Sequence, residues 1–242
     1  MKSKPLKKWT PDERISAVKS IFNTITPHYD LLNRIMSGRR DVAWRKFAVE
    51  RIPDNARKIL DVATGTGDLA IAIAQGGLDI EVVGVDFVEK MMRLAQQKTK
   101  VKGLDQRIDY SAADATILPF NSNEFDSATI AFGLRNIPDR LAALKEMGRV
   151  VKKGGKVIAL EMTFPKNLGL RNFFKWYLNN MIPILGGIIS GNRAAYRYLP
   201  DSIQDFLTPD ELSDLFECAG FKSINKFPLT FGLTYLHEGT VV

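Results

Sequence analysis

The residues best suited to chemistry lie in one stretch, Asp61-Val-Ala-Thr-Gly65-Thr-Gly67-Asp68, with a second acid, Asp86, 19 residues after Gly67. Gly65 and Gly67 let the backbone turn tightly and come close to a ligand. Asp86 closes an apolar run and is placed to accept hydrogen bonds from a ribose diol. Asp61 closes the apolar run before the loop. A carboxylate there suits a ligand with an ammonium group and is poor beside a pyrophosphate. Asp114-Ala115 follow a third run, where a carboxylate could meet an adenine amino group. The spacing Gly65-x-Gly67-x-x-Ala70 also fits a dinucleotide fingerprint, so the loop alone does not choose its ligand.

These residues need elements to hold them. Apolar spacing predicts a helix from Glu13 to about Pro27 and a second over about Val42–Arg51, with Tyr29–Gly38 as the connection. Strands are expected at Ile59–Ala63, Glu81–Asp86, Arg107–Ala112, Ser127–Ala131 and Lys156–Glu161. Helices are expected at Asp68–Gln75, Val88–Lys100 and Asp139–Val151. This alternation implies a parallel sheet covered on both faces. Residues 165–205 break the rhythm with two apolar runs, interrupted by Asn179-Asn180, Pro183 and Gly186-Gly187. The insert is too broken to span a membrane, which takes about 20 apolar residues. A helix at Pro209–Ala219 and two closing strands, near Lys222–Phe227 and Phe231–Leu236, complete the chain.

The acids Asp61 and Asp114, with Leu118-Pro-Phe120, Phe125-Asp126 and Lys152-Lys-Gly154-Gly155-Lys156, resemble the class I S-adenosylmethionine-dependent methyltransferases. That resemblance implies an α/β fold, a Rossmann-like seven-stranded sheet that is mostly parallel with its last strand antiparallel. Four further motifs are similar to the quinone-biosynthesis C-methyltransferases, which methylate demethylmenaquinol or ubiquinone precursors. They are Tyr29-Asp30-x-x-Asn33-x-x-x-Ser37 with Trp44, Phe132-Gly-Leu-Arg135-Asn136, Arg149-Val-Val-Lys152-Lys-Gly-Gly155 with Glu161, and Tyr196–Ile203. The resemblance covers about residues 13–240. Asp41 stands where that family usually has His, and Ala131 where relatives often have Ser.

The resemblance implies residues 1–56 as a basic tail and helical cap. Residues 57–242 would be the methyltransferase domain, with an apolar substrate lid at about 165–205. It implies S-adenosylmethionine as methyl donor; one Cys and two His argue against a metal site. Cofactor contacts would come from Asp61, Gly65, Thr66, Gly67, Asp86, Asp114, Ala115 and Tyr29, the last closing over the ligand. The activity implied is methyl transfer to a ring carbon of a prenylated quinol, demethylmenaquinol first and a polyprenyl benzoquinol as the alternative. Arg135 and Asn136 lie just past the fourth strand, at the sheet edge where such folds bind ligands. Arg is always charged and a poor base. Arg135 is therefore assigned to an oxyanion or a water, and Asn136 to the quinol oxygen or that water.

Charge adds a partner. Residues 1–58 hold 14 Lys and Arg against 6 Asp and Glu, and the remainder 20 against 21. The basic surplus near the N-terminus suggests contact with an anionic membrane surface. A cytoplasmic protein, peripheral at the inner face of the membrane, is expected, because the first residues carry no signal-peptide core. A homodimer through the apolar insert stays open. A nucleic-acid methyltransferase is disfavoured because Ala131-Phe-Gly-Leu replaces the Asn/Asp-Pro-Pro-aromatic tetrapeptide. An NAD-dependent oxidoreductase is disfavoured by Asp61 and Asp114. The one cysteine, Cys218, reads as core, and His28 and His237 as structural.

Overall fold

The computed structural model describes residues 9–77, 79–190, 196 and 198–242. Residues 1–8 of the basic tail, the side chain of Ile189 in the insert and Arg197 of the fourth motif lie outside them.

The apolar runs become β1 (Lys58–Val62), β2 (Glu81–Asp86), β3 (Ile108–Ala112), β4 (Phe125–Ala131), β5 (Val151–Met162), β6 (Lys222–Leu229) and β7 (Thr234–Thr240). They form one seven-stranded sheet in the order β3-β2-β1-β4-β5-β7-β6. Neighbours among β1–β5 run parallel, and β7 runs antiparallel to both β5 and β6. This is the expected sheet. Leu60, Val62 and Ile130 face one buried layer, and Ile59, Val82 and Ile158 face the other. Both faces of the central strands are covered, so these read as mostly apolar runs rather than alternating ones, while the edge strands β3 and β6 are largely exposed.

The helices are α1 (Pro11–Ile25), α2 (Tyr29–Met36), α3 (Arg40–Val49), α4 (Asp68–Gly76), α5 (Glu89–Val101), α6 (Arg140–Val150), α7 (Leu168–Trp176), α8 (Ile182–Ser190), α9 (Tyr198–Gln204) and α10 (Pro209–Cys218). Thr10 and Glu13 form a reciprocal capping box that starts α1. The stretch Tyr29–Gly38, expected only to connect two helices, holds α2. Tyr29, Asn33 and Met36 share one face of it at helical spacing, a signal too short to stand out in the sequence.

The insert departs from its expected interruptions. α7, a π-helical turn at Tyr177–Met181, and α8 follow one another without a break. The π turn takes in Asn179-Asn180, and Pro183 follows directly after it as the second residue of α8. A Cβ on Gly186 would run into the Tyr196 ring, so this glycine is where the rod meets that side chain. No helix among the described residues is long and apolar enough to cross a membrane. Cap and insert bury one another: Ile25 and Leu32 share a cluster with Phe174, Leu178, Ile182, Tyr196 and Ile203.

Cys218 is exposed, against the reading of it as core. α10 turns Leu212 and Phe216 inward, and Cys218 falls on the opposite face.

Candidate active site

β1 delivers Asp61 to the carboxyl edge of the sheet, and the chain turns through Gly65 and Gly67, both at positive φ, into α4. The order of the sheet reverses beside β1, and such a reversal opens a crevice at the strand ends. Gly67 is required twice over. Its φ is +77°, and a Cβ there would lie 2.9 Å from Ala95 Cβ and also strike the Tyr110 hydroxyl. It lines none of the cavities described below; it shapes the loop from behind.

A cavity of about 360 Å³ opens at this edge. Among the site residues expected from sequence, it brings together Tyr29, Gly65, Asp86, Asp114, Ala115 and Asn136. Asp86 accepts one backbone N–H on each oxygen, from Gly65 and from Val88, both at 2.8 Å. Burial nonetheless raises its carboxyl above the usual range. Asp114 is exposed; its Oδ1 accepts from the amide and hydroxyl of Thr116, at 2.8 and 2.7 Å. Pro11, Ile15, Val18 and Phe22 of α1 form a wall of the same cavity.

A polar recess adjoins it, lined by Tyr29, Arg45, Asp61, Gly65, Thr66 and Asp68 among others. Asp61 accepts from the hydroxyls of Thr64 and Thr129, at 2.7 and 2.8 Å. Burial outweighs both bonds and pushes its pKa up to about 6. Thr66 spends its hydroxyl on Asp30, at 2.6 Å. Arg45 was not expected here. Its Nη1 donates to Asp41 at 2.7 Å, and its Nε and Nη2 make no hydrogen bond among the described residues. The signal for it was thin, because an arginine on an N-terminal helix reads as part of a solvated basic face.

A second cavity, about 120 Å³, lies beneath the cap and insert. Its walls include Met36, Trp44, Phe132, Phe174, Leu178 and Ile182, and its polar groups include Tyr29, Asp41, Arg45 and Arg135. Tyr29 lines both large cavities and the recess. Its hydroxyl pKa is raised by burial, against the pull of Arg135.

Arg135 and Asn136 divide between the cavities, Arg135 in the second and Asn136 in the first. The Arg135 guanidinium is held by Glu161, whose Oε2 also accepts the Arg135 amide at 3.1 Å. Its Nη1 donates to the Phe132 carbonyl at 2.7 Å, while its Nε is buried and has no partner among the described residues. Asn136 Oδ1 accepts the Tyr198 hydroxyl at 2.9 Å. Glu161 and Tyr198 both lie within the sequence motifs, but neither motif reveals that it holds this pair.

An ionic web binds the cap to α4 and α5. Lys98 contacts Asp30 and Asp68, both at 2.6 Å, and Arg34 bridges Asp68 to Asp41. His28 lies in the turn before α2, outside these cavities. His237 is buried with Nε2 against the Pro209 carbonyl at 2.8 Å, and burial holds its pKa down at about 4. Among the described residues, no group of three His, Cys, Asp or Glu side chains could hold a metal ion.

Residues 8–241 match the ubiE/COQ5 methyltransferase family. The chain belongs to that family. A demethylmenaquinone methyltransferase of Thermus thermophilus is 43% identical over 220 residues, spanning 90% of this chain and 99% of that one. A ubiquinone/menaquinone biosynthesis C-methyltransferase UbiE of Geotalea uraniireducens is 39% identical, spanning 94% and 97%. A solved S-adenosylmethionine-dependent methyltransferase of Thermotoga maritima shares the fold, with a TM-score of 0.63 at 20% identity, covering 92% of this chain and 99% of that one. As in the family at large, the chain is a methyltransferase.

Proposed function

We propose that the chain transfers a methyl group from S-adenosylmethionine to a ring carbon of a prenylated quinol, converting demethylmenaquinol to menaquinol. The observation that carries this reading is the pair of cavities joined at Tyr29, one edged by the Gly loop and Asp86, the other walled by apolar side chains.

The residues fit the cofactor. Asp86 retains lone pairs for a ribose diol, and Asp114-Ala115 stand where an adenine edge would lie. Asp61 would meet the ammonium group of the amino-acid end, and the two free nitrogens of Arg45 its carboxylate. Bound there, S-adenosylmethionine supplies an electrophilic methyl group on a sulfonium.

The protein's own part is to make the ring carbon nucleophilic and to exclude water. A ring carbon gains nucleophilicity as a neighbouring hydroxyl ionises. Arg135 keeps a buried Nε–H without a partner. An orphaned buried donor calls for an acceptor, and a quinol oxygen in the second cavity would supply one. The side-chain amide of Asn136, whose oxygen accepts from Tyr198, lines the first cavity instead and can hold a water there. Tyr29 closes the junction, and the apolar walls take the prenyl chain. Correct positioning supplies much of the acceleration.

The deciding experiment gives the protein labelled S-adenosylmethionine with both reduced precursors, demethylmenaquinol and the polyprenyl benzoquinol. A methylated naphthoquinol is expected. A methylated benzoquinol alone would overturn the substrate, and no transfer to either would overturn the reading.

Asp61 makes ligand binding pH-dependent. In the ligand-free protein its pKa lies at about 6, and a bound ammonium group favours the ionised form. At higher pH the group is already ionised, so affinity should be flat. Below that pKa, binding must expel a proton, and affinity should fall about tenfold per pH unit. Calorimetric titration with S-adenosylhomocysteine across pH 5–8 checks this, and Asp61→Asn should abolish the slope.

The reading also includes reversible contact of the basic N-terminal segment with an anionic membrane, and leaves a homodimer to be tested by sedimentation.

A further inference from the structure

The rod formed by α7, the π turn and α8 has two unlike faces. Phe174, Leu178 and Ile182 turn inward and line the second cavity. Phe173, Trp176, Ile184 and Ile188 turn outward, with exposures of 62%, 53%, 42% and 76%. The rings of Phe173 and Trp176 stack at 6.1 Å, so the outward side chains form a surface rather than scattered points. α2 packs against α8 and repeats the design. Its Tyr29, Asn33 and Met36 face the cavities, while Leu31 and Ile35 are exposed. The roof of the second cavity is therefore apolar on both sides. Single exposed apolar residues mean little, but a contiguous set marks a partner.

Charge selects the partner. Between Glu161 and Asp201 the sequence has five Lys or Arg and no Asp or Glu; Arg171 and Lys175 lie on α7 itself, Lys166 pairs with Asp210, and Arg193 and Arg197 lie outside the described residues. An interfacial helix combines an apolar face bearing Trp and Phe with basic residues and no length to span. We infer that the outer face of the α7–α8 rod, extended by Leu31 and Ile35 of α2, docks the protein on an anionic lipid leaflet. The docked roof sets one wall of the substrate cavity against the bilayer. This assigns the main apolar contact to the insert, with the basic N-terminal segment adding only attraction. It rests on the quinol reading only for the direction in which substrate would enter.

The test uses the full chain with vesicles of equal phosphatidylglycerol and phosphatidylcholine, and with phosphatidylcholine alone. Flotation with the anionic vesicles is expected, with little on the neutral ones. Brominated lipid should quench tryptophan emission, and Trp176→Phe should remove most of that quenching. The variant Phe173→Ser/Ile184→Ser/Ile188→Ser should float at least tenfold less while binding S-adenosylhomocysteine as before, because these side chains line no cavity described above. Equal flotation of that variant would overturn the docking face. So would a wild-type chain that ignores vesicles but sediments as a dimer that the variant abolishes, since the face would then seat a second copy. Normal docking with no methyl transfer to either quinol would leave the face standing and overturn the substrate instead.

Discussion

Arg135→Ala should lower folding stability by about 3–5 kcal/mol, because it strips the partner from a buried carboxylate. Both side chains of the Arg135–Glu161 pair are almost fully buried, and Arg135 also ties down the Phe132 carbonyl. Chemical denaturation should show the loss as a lower midpoint. A fall in turnover in this variant would therefore say little about chemistry by itself. The informative variant is Arg135→Met/Glu161→Gln, which removes both charges and keeps volume. It should regain much of the stability, since buried pairs contribute little beyond what well-packed apolar groups supply. Turnover should stay about 100-fold or more below wild type, the size expected for one lost oxyanion donor. Recovery of turnover in the double variant would reduce Arg135 to a structural ion pair.

Arg45→Gln should weaken S-adenosylhomocysteine binding by about 10–100-fold, the worth of one or two charge-assisted hydrogen bonds. The same variant should bind 5′-methylthioadenosine as wild type does, because that ligand lacks the amino-acid end. The contrast matters, since Arg45 also contacts Asp41 and lies over the Phe132 ring at 5.3 Å. Damage to packing would weaken both ligands alike. Wild type should in turn lose affinity for the decarboxylated ligand, and Arg45→Gln should not. Equal losses of affinity for both ligands would remove Arg45 from binding of the carboxylate.

Most of the sheet was legible in the sequence because its central parallel strands are largely buried on both faces, unlike the edge strand β3. Ile59–Ala63, broken only by Asp61, and Val82–Val85 therefore stand out as apolar runs between polar residues. Asp61, the glycines and Asp86 were legible because a sharp turn and a strand end constrain residue type. Other parts depend on distant pairing. Tyr29–Met36 is a single short helix held by Asp30 to Thr66 and Lys98, contacts across 36 and 68 residues that no local pattern carries. Arg45 became a site neighbour only once the cap folded over the strand ends, and Glu161 only once β5 lay beside β4. The insert misled in one respect. Asn179-Asn180 and Pro183 are breakers on average, yet a π turn takes them into one rod. Cys218 misled because its sequence neighbours are apolar, while the helix turns it the other way.

The wall that α1 gives the first cavity ties the two cavities together. A nucleoside held there would lie against Pro11, Ile15, Val18 and Phe22. α1 is anchored by its buried Val18 and Ile25 and by Arg14, which donates to the Arg135 carbonyl at 2.7 Å and pairs with Asp205 at 3.5 Å. The helix that would cover the nucleoside therefore also touches the backbone of the residue assigned to the quinol, and a shift of α1 on ligand exchange would be felt at both ends of the methyl transfer.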